Sequence, residues 1–512
     1  MKLETKRFSI FLLSMLFLAA PSQAIYPDKA LQAKEKQAAV ASEWASPLKQ
    51  RLENMADSLS ANLKPWKVPG RVFKVEKYGA VADGKTMNTA AIQKTIDVCS
   101  KKGGGVVLFS KGDYVTGTFQ IKSGVMLEVA EGSRILGSTD IKDYPEMIEE
   151  FKSVMSENYR FRQSLIYAEK ADKVGIRGKG EIYFRGEKKH FSSPETTGPI
   201  KDRPVGIRMI ECTNVVVQDI MLRNSASWMQ NYIACKNLIF EGMRVENQAN
   251  YNNDGLDPDG CTNVIVRNCF INAEDDAMCL KGCSSLPTQN VLIENSTFVS
   301  TCNAFKLGTD TQGDFRDILV RNVTLGGVPD SLVSIEGREC STGITLATVD
   351  GGNVENIVIQ NAVINQARCP VFIRIGNRGR VIPGREKPAP GYLRHIVIEN
   401  VSGERNYIQG SLISGIPGHI IEGVYISNYH VKAVGGGTKD MIIQNVLEKE
   451  GGYPDAQGFS RTGLPSYGFF LRHAKNLIFD NVSVTPVKAD ERPEIYNGGD
   501  VTNVRYNNLF IK

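Results

Sequence analysis

The chain has 512 residues, 42% hydrophobic and 23% charged, which is the balance of a folded soluble protein and excludes a largely disordered one. Its formal net charge of +5 falls to about +3 without the first 24 residues, where Lys2, Lys6 and Arg7 outweigh Glu4. So small an excess points to neither nucleic acid nor a membrane surface as partner.

In chain order, residues 1–24 have the three parts of a secretory signal peptide. Basic residues lead, an apolar run from Phe8 to Ala20 follows, and Ser22-Gln23-Ala24 forms a small-residue cleavage site. That run is too short to span a bilayer, so the expected location is secreted or periplasmic. Residues 25–70 form an N-terminal helical and linker segment, rich in Ala, Lys, Glu and Gln and ending at Pro65–Pro69. From Phe73 the sequence reads as a strand, a glycine-containing turn and an amphipathic helix begun by Asn88-Thr89 and ended by Gly103–Gly105. Such a helix covers the open end of a β-structure, whose unpaired edge otherwise invites aggregation.

From about residue 170 a repeat dominates. Segments such as Cys212-TNVVVQDI, Cys235-KNLIFEGM and Cys261-TNVIVRNC recur, with further units starting at Thr288, Phe315, Val354, Leu393, Ile421, Ala474 and Val501. The first five starts are evenly spaced at roughly 25 residues, the scale of one solenoid coil. Three of the later intervals are longer, most of all that between Ile421 and Ala474, and read as loops inserted between similar units. Each unit is a β-branched run that alternates in and out and closes with Asn or Gly. A strand of this size buries its apolar face only by stacking on the next coil. Recurrent Asn suits stacked turns, because Asn tolerates left-handed backbone and its amide bonds between coils. The expected fold is all-β: a single-stranded right-handed parallel β-helix over 71–512, with the N-terminal helical segment and a capping helix. Ten cysteines in an exported chain allow disulfides, but Cys212, Cys235 and Cys261 share one repeat position, as stacked core residues do. Buried thiols are expected, with one or two bridges.

One region concentrates carboxylates: Asn252-Asn253-Asp254-Gly255-Leu256-Asp257 and Glu274-Asp275-Asp276. Acidic residues beside Ala277, Met278, Cys279 and Leu280 are out of place in a core strand unless they are paired or needed. The gap from Asp254 to Asp275 is close to one coil, so neighbouring coils bring both clusters to one patch. A calcium site or a solvated Asn/Asp-rich turn would have the same composition.

These motifs resemble the polygalacturonases of glycoside hydrolase family 28, whose N-T-D appears here as Asn252-Asn253-Asp254 and whose paired D-D appears as Asp275-Asp276. The YGAVADG…TAAIQ segment is similar to the start of many pectin-degrading β-helix enzymes. The resemblance implies an inverting hydrolase of α-galacturonosidic bonds in pectin, exo-acting or acting on rhamnogalacturonan. It gives Asp275 the role of general acid, while Asp254 and Asp276 hold and deprotonate the attacking water. Three close carboxylates cannot all ionise freely, so one keeps a proton. Because successive strand residues face opposite ways, Asp275 and Asp276 need a bend to converge.

Other family motifs depart. Asn303 stands where the family has a histidine, and Arg374-Ile375-Gly376 lacks the lysine of the family's R-I-K. Asn252, Lys281, Asn303, Lys306, Arg374 and Arg378 are the expected substrate contacts, with Arg374 as a bidentate carboxylate clamp. These departures suggest a substrate other than plain homogalacturonan. Trp228, His190 and His419 read as packing or loop residues. Insertions at 327–353 and 366–392 are long enough to wall one end of a cleft. No cofactor or metal, a pectic substrate as partner, and a monomer are expected. The rival readings are a pectic lyase on the same fold, and a non-catalytic β-helix carbohydrate-binding protein or adhesin.

Overall fold

The computed structural model describes residues 43–148, 150–155, 162–191, 203–459 and 463–508. The expected signal peptide and residues 25–42 therefore lie outside the described residues. No helix among the described residues is long and apolar enough to cross a membrane.

The repeat units become strands that pair in parallel and in register. Thr213, Lys236, Thr262, Gln289 and Arg316 occupy equivalent positions on five successive coils. The same ladder continues through Glu355, Arg394, Glu422, Lys475 and Thr502. The strands form a 21-stranded and a 12-stranded parallel sheet, the two flanks of a right-handed β-helix. Inward residues of each coil stack at full burial: Val215, Leu238, Val264, Val291, Ile318 and Ile357 form one such column. Burying each such side chain contributes about 1.5–3 kcal/mol.

The Asn ladders form as the repeat demands. Asn237 donates to Asn214 at 3.1 Å, Asn263 to Asn237 at 3.0 Å and Asn290 to Asn263 at 3.2 Å. A second ladder links Asn295, Asn322, Asn361, Asn400, Asn428 and Asn481. These asparagines have φ between +45° and +61°, the left-handed conformation that Asn accepts more readily than β-branched residues. All ten cysteines are free thiols, so the expected bridges do not form.

Helix Thr89–Lys101 buries Ile92, Ile96 and Cys99 against the first coils. Its preceding Asn88 does not cap it. The Asn88 amide instead bonds the backbone of Val81, Thr86 and Val115, which pins the turn before the helix.

Helix Ala45–Asn62 lies lengthwise on the outside of the larger sheet. It sets Ala45, Leu48, Leu52 and Ala56 on the outward Leu292, Leu319, Val358, Val397 and Tyr425. Leu63, Trp66 and Val68 continue that line over Met126, Val216 and Ile239. Lys49 pairs with Glu399, Arg51 with Asp317, and Glu53 with Arg321. This covering explains a pattern that simple alternation does not: repeat strands carry three consecutive apolar residues, and the middle one faces outward onto the helical strap.

Two expectations about insertions are corrected. Strands Cys340–Thr348 and Ala367–Ile375 lie inside the supposed insertions 327–353 and 366–392. The long non-strand parts are 327–339 and 376–392. The larger excursion is 436–468, inside the long interval between Ile421 and Ala474. It folds back over the smaller sheet with Val446, Ala456, Phe459 and Leu464 on Phe372, Leu412 and Phe470.

Candidate active site

The register of the smaller sheet builds the site. Leu256 pairs with Met278, and Met278 with Phe305, so Asp254, Asp276 and Asn303, each two residues earlier, fall in one column on three coils. Backbone bonds confirm the stacking: Gly255 N donates to Asp276 O at 2.8 Å and Ala277 N to Asn303 O at 2.8 Å. Gly255 is required there, since a Cβ would lie 2.2 Å from Ile271 Cγ2 and 2.5 Å from Ala277 O.

The strand breaks between Ala273 and Met278, with bends at Glu274 and Asp275. That is the bend needed for two successive aspartates to converge. One oxygen each of Asp275 and Asp276 and the Cys302 sulfur lie within 4.8 Å of one another. Both Asp276 oxygens are already hydrogen-bonded within the protein. Oδ1 accepts from Asn303 Nδ2 at 2.6 Å and Oδ2 from Lys306 Nζ at 2.8 Å.

Each amide at the site is locked in orientation by a second partner. Asn303 Oδ1 accepts from Thr345 Oγ1 at 2.9 Å, so its NH2 must face Asp276. Asn252 Oδ1 accepts from Arg203 at 2.9 Å, and its NH2 donates to Asp275 Oδ2 at 3.1 Å. Asp254 Oδ2 accepts from Lys281 Nζ at 2.9 Å, while its buried Oδ1 has no partner among the described residues. Lys281 also lies 3.6 Å from Asp257 and 4.2 Å from the Trp228 ring. Among the described residues no lysine or arginine forms an ion pair with Asp275.

Burial pushes Asp254 upward against the pull of Lys281, and the neighbouring Asp275 and Asp276 add to it, so it reaches about 8. Burial likewise raises Glu274, helped by Asp275, to about 9. Asp276 goes the other way: burial opposes, but Lys306 and Lys281 together with its hydrogen bonds hold it below the usual carboxylate range. Burial and crowding thus favour the protonated form at Asp254 and Glu274, while Asp276 keeps its charge.

Of the expected substrate contacts, Asn252, Lys281, Asn303 and Lys306 meet at the aspartates, with both lysines bonded to carboxylates. Arg374 does not form the expected clamp. It is 1% exposed and donates to the carbonyl oxygens of Gly415 at 2.7 Å and Glu448 at 2.6 Å. Burial and the adjacent Arg472 pull its guanidinium down to about 10. Arg378 is paired with Asp310 and Asp350. Trp228 packs with Met155, Val205 and Cys283, as a packing residue does.

Sequence reasoning missed Tyr453, half exposed, which accepts from Thr309 at 2.7 Å and lies 5.9 Å from Lys306 and 5.8 Å from Arg378. It sits in the 436–468 excursion, outside any repeat, and no local pattern marks it.

The family described as glycosyl hydrolases family 28 matches residues 116–451. A probable polygalacturonase of Vitis vinifera is 25% identical over 381 residues, covering 69% of this chain and 72% of the relative. An exo-poly-alpha-D-galacturonosidase of Dickeya chrysanthemi is 24% identical over 400 residues, covering 66% and 64%. The solved family 28 exopolygalacturonase of Yersinia enterocolitica shares the fold, with a TM-score of 0.64 at 18% identity over 85% of this chain and 78% of that one. A parallel β-helix carrying an aspartate column at matching motifs, over a match of about two-thirds of the sequence, makes this chain a member of glycosyl hydrolase family 28.

Proposed function

We propose that the protein hydrolyses a glycosidic bond of a pectic polysaccharide with inversion, acting from a chain end. The observation that carries the reading is the asymmetry of the three carboxylates. Asp276, held ionised by Lys306, takes a proton from the attacking water. Asp254 holds that water through its unpartnered Oδ1. Asp275, which receives the Asn252 amide and forms no ion pair among the described residues, is by its place in the motif the acid that protonates the leaving oxygen.

A lyase needs a free basic group as proton acceptor, and both lysines here are bonded to aspartates. Chain-end action is supported by the 436–468 excursion. Arg374 and Arg472 hold the carbonyls of Glu448, Val446 and Leu447, and Tyr453 stands beside Lys306. Export is inferred from the first 24 residues alone.

The test is digestion of pectic oligosaccharides with the product anomer followed by NMR, for the wild type and Asp275→Asn. The expected result is single-unit products with inverted configuration and a loss of at least about 10³-fold in kcat for the variant. The oxygens of Asp275 and Asp276 approach within 4.8 Å, tighter than the ~6.5–9.5 Å usual for an inverting pair. A retained anomer would therefore make Asp276 a nucleophile, and an unsaturated, ultraviolet-absorbing product would make the enzyme a lyase.

A further inference from the structure

We infer that the sugar unit seated against Asp254, Asp275 and Asp276 is uncharged, a neutral sugar or an esterified uronate rather than a free uronate. The inference rests on the hydrolytic reading above and names the substrate class of that site.

Charge at the site is committed within the protein. Asp254, Asp257, Glu274 and Asp276 are each at least nine-tenths buried around it. The two lysines that reach them are spoken for: Lys281 contacts Asp254 at 2.9 Å and Asp257 at 3.6 Å, and Lys306 contacts Asp276 at 2.8 Å. A uronate carboxylate arriving here meets the ionised Asp276, and each lysine that touches the aspartates is already bonded to one of them.

The place where a two-cation grip could sit is also closed. Arg374 spends its donors on Ser414, Gly415 and Glu448. Position 376 has no room for a lysine, because even a Cβ there would lie 2.8 Å from Val349 Cγ1 and 3.1 Å from Glu450 O. Glu450 O is fixed in that space by Asn377 N at 2.6 Å. Arg378 is neutralised by Asp310 and Asp350. Glu450, in the segment after Gly435, thus occupies the volume from which a lysine at 376 would reach a uronate. What that segment offers in exchange is the exposed ring of Tyr453, which recognises the apolar face of a sugar without regard to charge.

The experiment compares kcat/KM for p-nitrophenyl α-D-galactopyranosiduronate, its methyl ester, p-nitrophenyl α-L-rhamnopyranoside and p-nitrophenyl α-D-galactopyranoside. At least one uncharged glycoside is expected to exceed the free acid by about 100-fold or more, the scale of a like-charge penalty. Preference for the ester identifies esterified pectin as the source; preference for a neutral glycoside identifies a neutral-sugar linkage. Equal or faster cleavage of the free acid overturns the inference.

Binding of galacturonate oligosaccharides and their methyl esters to Asp275→Asn, measured by calorimetry, applies the same criterion without turnover. There, tighter or equal binding of the free acid overturns it. The hydrolytic assignment fails separately, if Asp275→Asn cleaves the preferred glycoside as fast as the wild type.

Discussion

Lys306→Met isolates the group that sets the charge of the proposed base. Lys306 is 3% exposed and touches Asp276 Oδ2 at 2.8 Å, while Asn303 holds the other oxygen at 2.6 Å. Removing one partner of a buried ion pair costs about 3–5 kcal/mol, chiefly by leaving the other charge uncompensated. Spread over the titration of Asp276 at about 1.36 kcal/mol per unit, this raises its pKa by about 2–4 units. The sign is fixed by the present state: Lys306 depresses Asp276, so its loss pushes the carboxyl up and the base is ionised only at higher pH. The acid limb of the kcat/KM profile should therefore move up by about 2 units or more, with Lys306→Arg restoring most of it. Urea denaturation of each variant separates this from a folding defect. An unmoved acid limb with a raised KM would refute the reasoning and return Lys306 to the substrate-contact role its sequence position suggested.

Two further outcomes follow from the burial pattern. Asp254, Glu274 and Asp259 have folded-state pKa values raised to about 8, 9 and 6. The unfolded chain releases those protons near pH 4, so their contribution to stability is full below that point and is lost as pH rises towards 9. Asp276 works oppositely, at the acid end. The calorimetric Tm should fall between pH 5 and pH 9, and a Tm rising over that interval would contradict the burial argument. Leu52, fully buried under the strap, should cost about 2–4 kcal/mol on truncation to Ala, read as faster hydrogen exchange in helix Ala45–Asn62 while the coil core stays protected.

The coils were legible because each repeats the same instruction. The start residues read from sequence coincide with the strand register to within one position from Thr213 to Thr502. The aspartate column was legible too, since Asp276 and Asn303 occupy equivalent repeat positions. What failed were properties set by segments outside the repeat. Arg374 reads as a clamp from its motif, yet its guanidinium is claimed by the Glu448 carbonyl, in a loop that lies far downstream in sequence. Tyr453 and Glu450 belong to that same loop. The apolar outward column could have been read, because Val216, Ile239, Leu292 and Leu319 are visible mid-strand. Their partner is the segment from Ala45 to Val68, far upstream and separated from them by many coils, and pattern alone could not assign it.

The strap also bears on the order in which the chain can complete itself. A solenoid whose coils touch only their neighbours can form coil by coil as it is made. Helix Ala45–Asn62 is synthesised before any coil, yet Lys49 meets Glu399 across most of the chain and its apolar face rests on strands as late as Tyr425. It must wait, undocked, until most of the protein exists, and its docking then ties five otherwise separable coils into one cooperative unit. The earliest segment of the folded body is thus among the last to find its place, and its arrival marks the finished molecule.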